Sequence, residues 1–130
     1  MDALGHVNNV VYYRWLESAR IAYLVKTGLG NLRGVGATEP GGGIGCILQH
    51  AQARFHRSVF FPDTVRVTSS LATLESNCVT LTHAVVSATQ KHVVAVGSST
   101  IVAYDYVKNM KTTWPAGAFA AMKSVGAVLA

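Results

Sequence analysis

Between Val10 and Thr27 apolar side chains recur at most positions (Tyr12, Tyr13, Trp15, Leu16, Ala19, Ile21, Ala22, Leu24, Val25), and neither glycine nor proline interrupts them. Arg14, Glu17 and Arg20, spaced i, i+3 and i+6, draw one polar stripe. The pattern predicts a helix over about 9–27, capped by Asn8 or Asn9 and stopped by Gly28. With so little polar surface, the helix is expected to be buried over most of its circumference. Residues 28–43 then hold seven of the twelve glycines and read as a long loop.

From Ile44 to Tyr106 the period changes to two. Ile47, Ala51, Ala53, Phe55 and Val59 fall on one face, with His50, Gln52, Arg54 and His56 on the other. Phe61-Pro62-Asp63 is a turn, after which Val65, Val67, Ser69 and Leu71 alternate with Thr64, Arg66, Thr68 and Ser70. Glu75-Ser76-Asn77 and Thr89-Gln90-Lys91 separate two further runs, Cys78–Ala88 and His92–Tyr106. Four such runs predict an antiparallel meander, and the Ala-rich tail Pro115–Leu129 a short terminal helix. The chain reads as one α+β domain over 1–130, in which a helix this apolar is buried only if the sheet curls around it.

Composition narrows the function. Only 13% of residues are charged, against about 25% in an average soluble domain, while half are hydrophobic. That excludes disorder and points to a surface partly covered by another subunit. The net charge of +5 is spread singly, without the clustered patch of a nucleic-acid surface, and suits a small anionic ligand. Cys46 and Cys78 have neither CxxC nor metal-type spacing, which fits a reduced, intracellular, cytoplasmic setting. The opening Met1-Asp2-Ala3-Leu4-Gly5 has no leader character, and no apolar run reaches the ~20 residues of a membrane span.

Other chemistries lack support. The glycine-rich loop has no Walker lysine, and no G-x-S-x-G elbow exists for a serine nucleophile. His50 and His56 would lie roughly 20 Å apart on a strand, too far for one metal. Lys91 and His92 sit in a turn, where a charged pair is ordinarily solvated.

The string Asp2-Ala3-Leu4-Gly5-His6-Val7-Asn8-Asn9, followed by Tyr12, Trp15, Glu17, Ala19 and Arg20, resembles the hotdog-fold acyl-CoA thioesterases of the 4-hydroxybenzoyl-CoA thioesterase-like family, with their D-x-x-G-H-V-N-N-x-x-Y signature. Phe55-His56-Arg57-Ser58-Val59 through Asp63-Thr64-Val65 resembles that family's second block, with Ser58 in place of its usual proline, and Tyr104-Asp105 fits as well. Members normally carry a first strand before the aspartate, whereas here only Met1 precedes Asp2.

The resemblance implies a sheet wrapped around one long helix, a homodimer with edge-to-edge sheets or a homotetramer, and hydrolysis of acyl-CoA without metal or other cofactor. It assigns Asp2 as general base or nucleophile, with His6 assisting and the Asn9 amide at the helix N-terminus polarising the thioester carbonyl. Gly5, Asn8, Tyr12 and Arg57 would bind substrate, with Arg54, His56 and Lys91 as further candidates for the carrier's phosphates. Each has a plainer role available. Asp2, Asn8 and Asn9 suit capping, His6 a backbone bond, Tyr12 and Trp15 the core, Arg54 and His56 a solvated face, and Glu17 (the alternative carboxylate) an ion pair with its flanking arginines. A non-catalytic acyl-CoA-binding or assembly module and an acyl-thioester hydratase or dehydratase are the rival functions. An acyl-carrier-protein substrate is disfavoured by Leu4, where plant-type enzymes place asparagine.

Overall fold

The computed structural model describes residues 5–28, 43–125 and 128–129. The first element is the predicted helix, α1 (Asn9–Lys26). Asn8 is its N-cap: backbone in the extended region, side-chain oxygen accepting the Val10 N–H at 2.9 Å. At the far end the Thr27 N–H returns to the Tyr23 carbonyl and Gly28 to Val25, the local closure expected of a glycine stop.

Strands β1 (Ile44–Phe55), β2 (Val65–Leu74), β3 (Cys78–Ser87) and β4 (His92–Asp105) follow, then the two-residue β5 (Met110–Lys111), helix α2 (Ala116–Ser124) and the two-residue β6 (Val128–Leu129). All pair antiparallel in one sheet of order β1-β4-β3-β2-β6, with β5 on β4. The predicted four-strand meander is therefore corrected: β2, β3 and β4 form one, but β1 crosses to the far side of β4. The physical reason lies in the connection over 56–64. It is not a tight hairpin turn but dips under α1, burying Val59 (3% exposed) and passing its carbonyl to the Val7 N–H at 2.9 Å.

Burial along β3 alternates without a break, so Val79, Leu81, His83, Val85 and Ser87 face α1. In β1 the phase slips at a bulge between Leu48 and His50. Ile47, expected on the inner face, is 37% exposed, and Cys46 packs toward the core instead.

Two apolar clusters hold helix to sheet. One gathers Tyr12, Leu16 and Ala19 with Val59, Val67, Val85, Val94 and Ala95. The other gathers Tyr23 and Leu24 with Val79, Leu81, Ile101, Ala103, Trp114 and α2 residues Ala118 and Met122. At Gly97 the helix side chain Leu16 needs the space of a missing Cβ, which would lie 3.0 Å from Leu16 Cδ1 and 2.8 Å from the Gln52 carbonyl. The expectation of a helix buried nearly all round is corrected too. Val10, Tyr13, Ile21 and Val25 are exposed along one stripe, because the described sheet covers a single face of α1. The terminal helix forms as α2, and the tail adds β6, which pairs with Thr68 and Ser69 of β2. The open edge of β1, twelve residues long, has no partner strand among the described residues. No described helix is long and apolar enough to cross a membrane.

Candidate active site

The N-terminus of α1 and the crossing segment 56–60 build the site together. The first helical amides have no acceptor one turn back, so they point outward as donors. Asn8 occupies the Val10 N–H through its side chain and the Val11 N–H through its carbonyl, at 2.9 and 3.1 Å. The Asn9 N–H, first in the helix, has no intrahelical acceptor.

A 160 Å³ cleft opens beside it, lined by His6, Val7, Asn9, Tyr12, Phe55, His56, Arg57 and Ser58. Of the residues singled out in the sequence, His6, Asn9, Tyr12 and Arg57 thus meet in one place, although Tyr12 and Arg57 are 45 positions apart. Asn8 flanks the cleft as cap. Gly5 precedes it with φ +81°, a left-handed turn that glycine adopts without steric cost, and a Cβ there would meet no protein atom within 4 Å. Asp2 lies outside the described residues, as does residue span 29–42 of the glycine-rich loop.

Three successive carbonyls of the crossing segment are each taken by a donor from a different element. The Tyr12 hydroxyl donates to Arg57 O at 3.0 Å, Gln90 Nε2 to Ser58 O at 2.8 Å, and the Val7 N–H to Val59 O at 2.9 Å. Phe60 adds an isolated bridge to His6, with the two rings edge-on at 6.1 Å. Tyr12 is 2% exposed, and burial pushes its phenol above the usual tyrosine value. Its ring meets Trp15 and Phe55 edge-on, both at 5.1 Å, and Phe55 also meets Tyr13. The cleft therefore has an aromatic wall, a helix N-terminus and one guanidinium. Arg54 and His56 are exposed and, with Gln52, Ser70, Thr82 and Ser98, line a broader groove across the strands.

A second polar constellation lies beneath the middle of α1, between the two apolar clusters. His83 is 3% exposed; its Nδ1 pairs with Ser69 Oγ at 2.7 Å and its Nε2 with Ser99 Oγ at 2.8 Å. Arg20 Nη1 donates to the same Ser99 oxygen at 3.2 Å. Burial first, then the Arg20 charge, lowers the His83 pKa to about 4. Arg20 thus turns inward from the polar stripe, and among the described residues no direct ion pair joins it to Glu17. Neither His83 nor Gln90 stands out in a motif. The signal for His83 was its place among Val79, Leu81 and Val85 in the inward register of β3, whereas Gln90 carried none. Among the described residues no group of three or more His, Cys, Asp or Glu side chains gathers as a metal site.

A family model described as "Thioesterase-like superfamily" matches residues 1–123. No curated protein matches in sequence. Among solved structures, the PA2801 protein of Pseudomonas aeruginosa is similar at 25% identity and TM-score 0.77, covering 94% of this chain and 88% of that one. The gentisyl-coenzyme A thioesterase BH1999 is similar at 23% identity and TM-score 0.77, over 94% and 90% of the two chains. SAV2348 of Staphylococcus aureus, solved in complex with CoA, superposes at TM-score 0.84 with 8% identity, over 95% and 74%, a likeness of fold.

Proposed function

The chain belongs to the thioesterase-like superfamily, and from that premise we propose that it hydrolyses an acyl-CoA thioester to a free carboxylic acid and coenzyme A. The observation that carries this reading is the convergence of His6, Asn9, Tyr12 and Arg57 on one cleft at the N-terminus of α1.

In the reaction water adds to the thioester carbon, the C–S bond breaks, and sulfur leaves as the thiol after gaining a proton. The Asn9 N–H, at the positive end of the helix dipole, stabilises charge developing on the carbonyl oxygen. Asp2 draws the proton from water or attacks directly, with His6 beside the reacting carbon for proton transfer. Asn8 holds the turn that aims the amide. The Tyr12, Trp15 and Phe55 rings accept the acyl group, and Arg57, exposed at the cleft mouth, meets the carrier's phosphates. Neither metal nor cofactor enters this scheme. The open edge of β1, with Ile47 and Leu48 exposed along it, serves a homodimer whose sheets join edge to edge, from which a homotetramer can be built. Such a protein works in solution in the cytoplasm, with neither nucleic acid nor membrane as partner.

The test is thiol release from a panel of acyl-CoA substrates. Wild type is expected to release coenzyme A, and Asp2→Asn to lose at least roughly a hundredfold of kcat with an unchanged melting temperature. Full turnover in Asp2→Asn removes that assignment. Binding of acyl-CoA without cleavage by wild type identifies a binding module instead, and water addition to an enoyl-CoA a hydratase.

A further inference from the structure

The β3–β4 turn lies outside the cleft, yet one of its side chains reaches the cleft wall. Gln90 Nε2 donates to the Ser58 carbonyl at 2.8 Å, and the Gln90 backbone N–H donates to Ser87 Oγ at 3.0 Å. Ser87 Oγ donates in turn to Asp63 Oδ2. The other oxygen, Asp63 Oδ1, accepts the Thr64 and Thr89 N–H groups at 2.7 and 3.1 Å. The Ala88 N–H adds a backbone bond to Thr64 O at 2.8 Å. Two turns that flank the crossing segment, 62–64 and 87–91, are thereby fastened to each other, and Gln90 projects from that joint onto the middle of the segment. The Ser87 hydrogen bond, with the backbone donors, holds the Asp63 carboxyl below the usual carboxylate range, so the joint keeps its charge at neutral pH.

We propose that Gln90 is a positioning residue for the coenzyme A carrier. Arg57 O and Val59 O are held by Tyr12 and Val7, and the Ser58 carbonyl between them is the one whose donor comes from outside the cleft. Fixing that carbonyl fixes the Ser58–Val59 peptide plane, next to the Arg57–Ser58 plane that Tyr12 holds, and with it the shape of the wall that Ser58 forms and the path of the chain immediately after the arginine. Ser58 is exposed, so water can replace the amide donor when it is lost. The bond therefore adds little to global stability, and its effect falls on the pre-set geometry of the bound state. This proposal rests on reading the cleft as an acyl-CoA site.

The experiment compares wild type with Gln90→Met, a neutral side chain of similar length without the donor, and with Gln90→Ala. Three quantities are read: coenzyme A affinity by calorimetry, steady-state kinetics of acyl-CoA hydrolysis, and the melting temperature. Both variants are expected to bind coenzyme A about fivefold more weakly and to raise KM by the same factor, the size of one neutral hydrogen bond. Their kcat should stay within about twofold of wild type and Tm within about 2 °C. Affinity and KM unchanged in both variants overturn the proposal. So does a Tm loss above about 5 °C with kcat falling alongside affinity, the mark of a merely structural bond. Wild type that binds coenzyme A no better than Gln90→Met leaves hydrolysis standing and removes only the positioning role, whereas wild type that neither binds nor cleaves removes both.

Discussion

The cleft at the start of α1 and the polar row beneath its middle are both hydrogen-bonded crossings between helix and sheet, but they are satisfied by different atoms. In the buried row side chain meets side chain: Ser69, His83 and Ser99 are buried and complete one another, and the half-buried Arg20 reaches in to Ser99. At the cleft the partners are the carbonyls of residues 57, 58 and 59, and Arg57 keeps its guanidinium exposed at the surface. The difference teaches where each region tolerates change. A buried side-chain network fails when any member is removed, since the remainder is stranded without solvent. A backbone clamp at the surface can substitute water for a lost donor, which leaves its side chains available for ligands.

The largest expected effect tests the buried side of that contrast. His83→Ala strands the buried Ser69 hydroxyl, leaves Ser99 with Arg20 alone and opens a cavity in the core, and should cost about 3 kcal/mol in urea unfolding. A cost below about 1 kcal/mol would show that the row is replaceable.

Acid should act on the same residue. The folded pKa of His83, about 4, lies below its ordinary 6.5, so the unfolded chain takes up the proton first as pH falls. Stability from this group is complete above about pH 6.5 and is lost progressively toward pH 4, by about 2 to 3 kcal/mol. Asp63, whose carboxyl is held low, contributes its own loss only below its ordinary 3.8, so the two windows separate. Unfolding midpoints at pH 7, 5.5 and 4.5 check the first window, and His83→Gln should flatten it.

The smallest effect belongs to the cleft. Tyr12→Phe removes the donor to Arg57 O but keeps the ring against Trp15 and Phe55, and should cost about 1 kcal/mol by the same unfolding assay. A cost equal to that of His83→Ala would erase the contrast between the two regions.

Much of this was readable in the chain. The helix, its Asn8 cap and its Gly28 stop follow from residue types whose local preferences act over one turn. The strict alternation of β3 and the turns at 75–77 and 89–91 follow from the period of the pleat. Of the residues to which the likeness pointed, His6, Asn9, Tyr12 and Arg57 line one cleft and Asn8 caps the helix beside it, while Asp2 lies outside the described residues. The crossing of β1 was not readable, because the segment 56–64 looks like any turn-bearing connection until Val59 is seen to pack under the helix. Nor was the bulge after Leu48, which moves Ile47 outward without any glycine or proline to announce it. Gln90 reads in the sequence only as part of the turn between two strands, since its role depends on a carbonyl 32 positions away.

What the sequence determined by itself is set by near neighbours: where α1, β2, β3 and β4 begin and end, the inward alternation of β3, and which motif sits at the helix start. Tertiary structure alone decided the order of the strands, the exposed stripe on α1, the Arg20–Ser99–His83–Ser69 row and the clamp on residues 57–59. The physical reason is that strand pairing is made with backbone N–H and C=O groups, and the clamp closes on backbone carbonyls, which every residue type offers almost alike. Only the packing of distant side chains chooses among them.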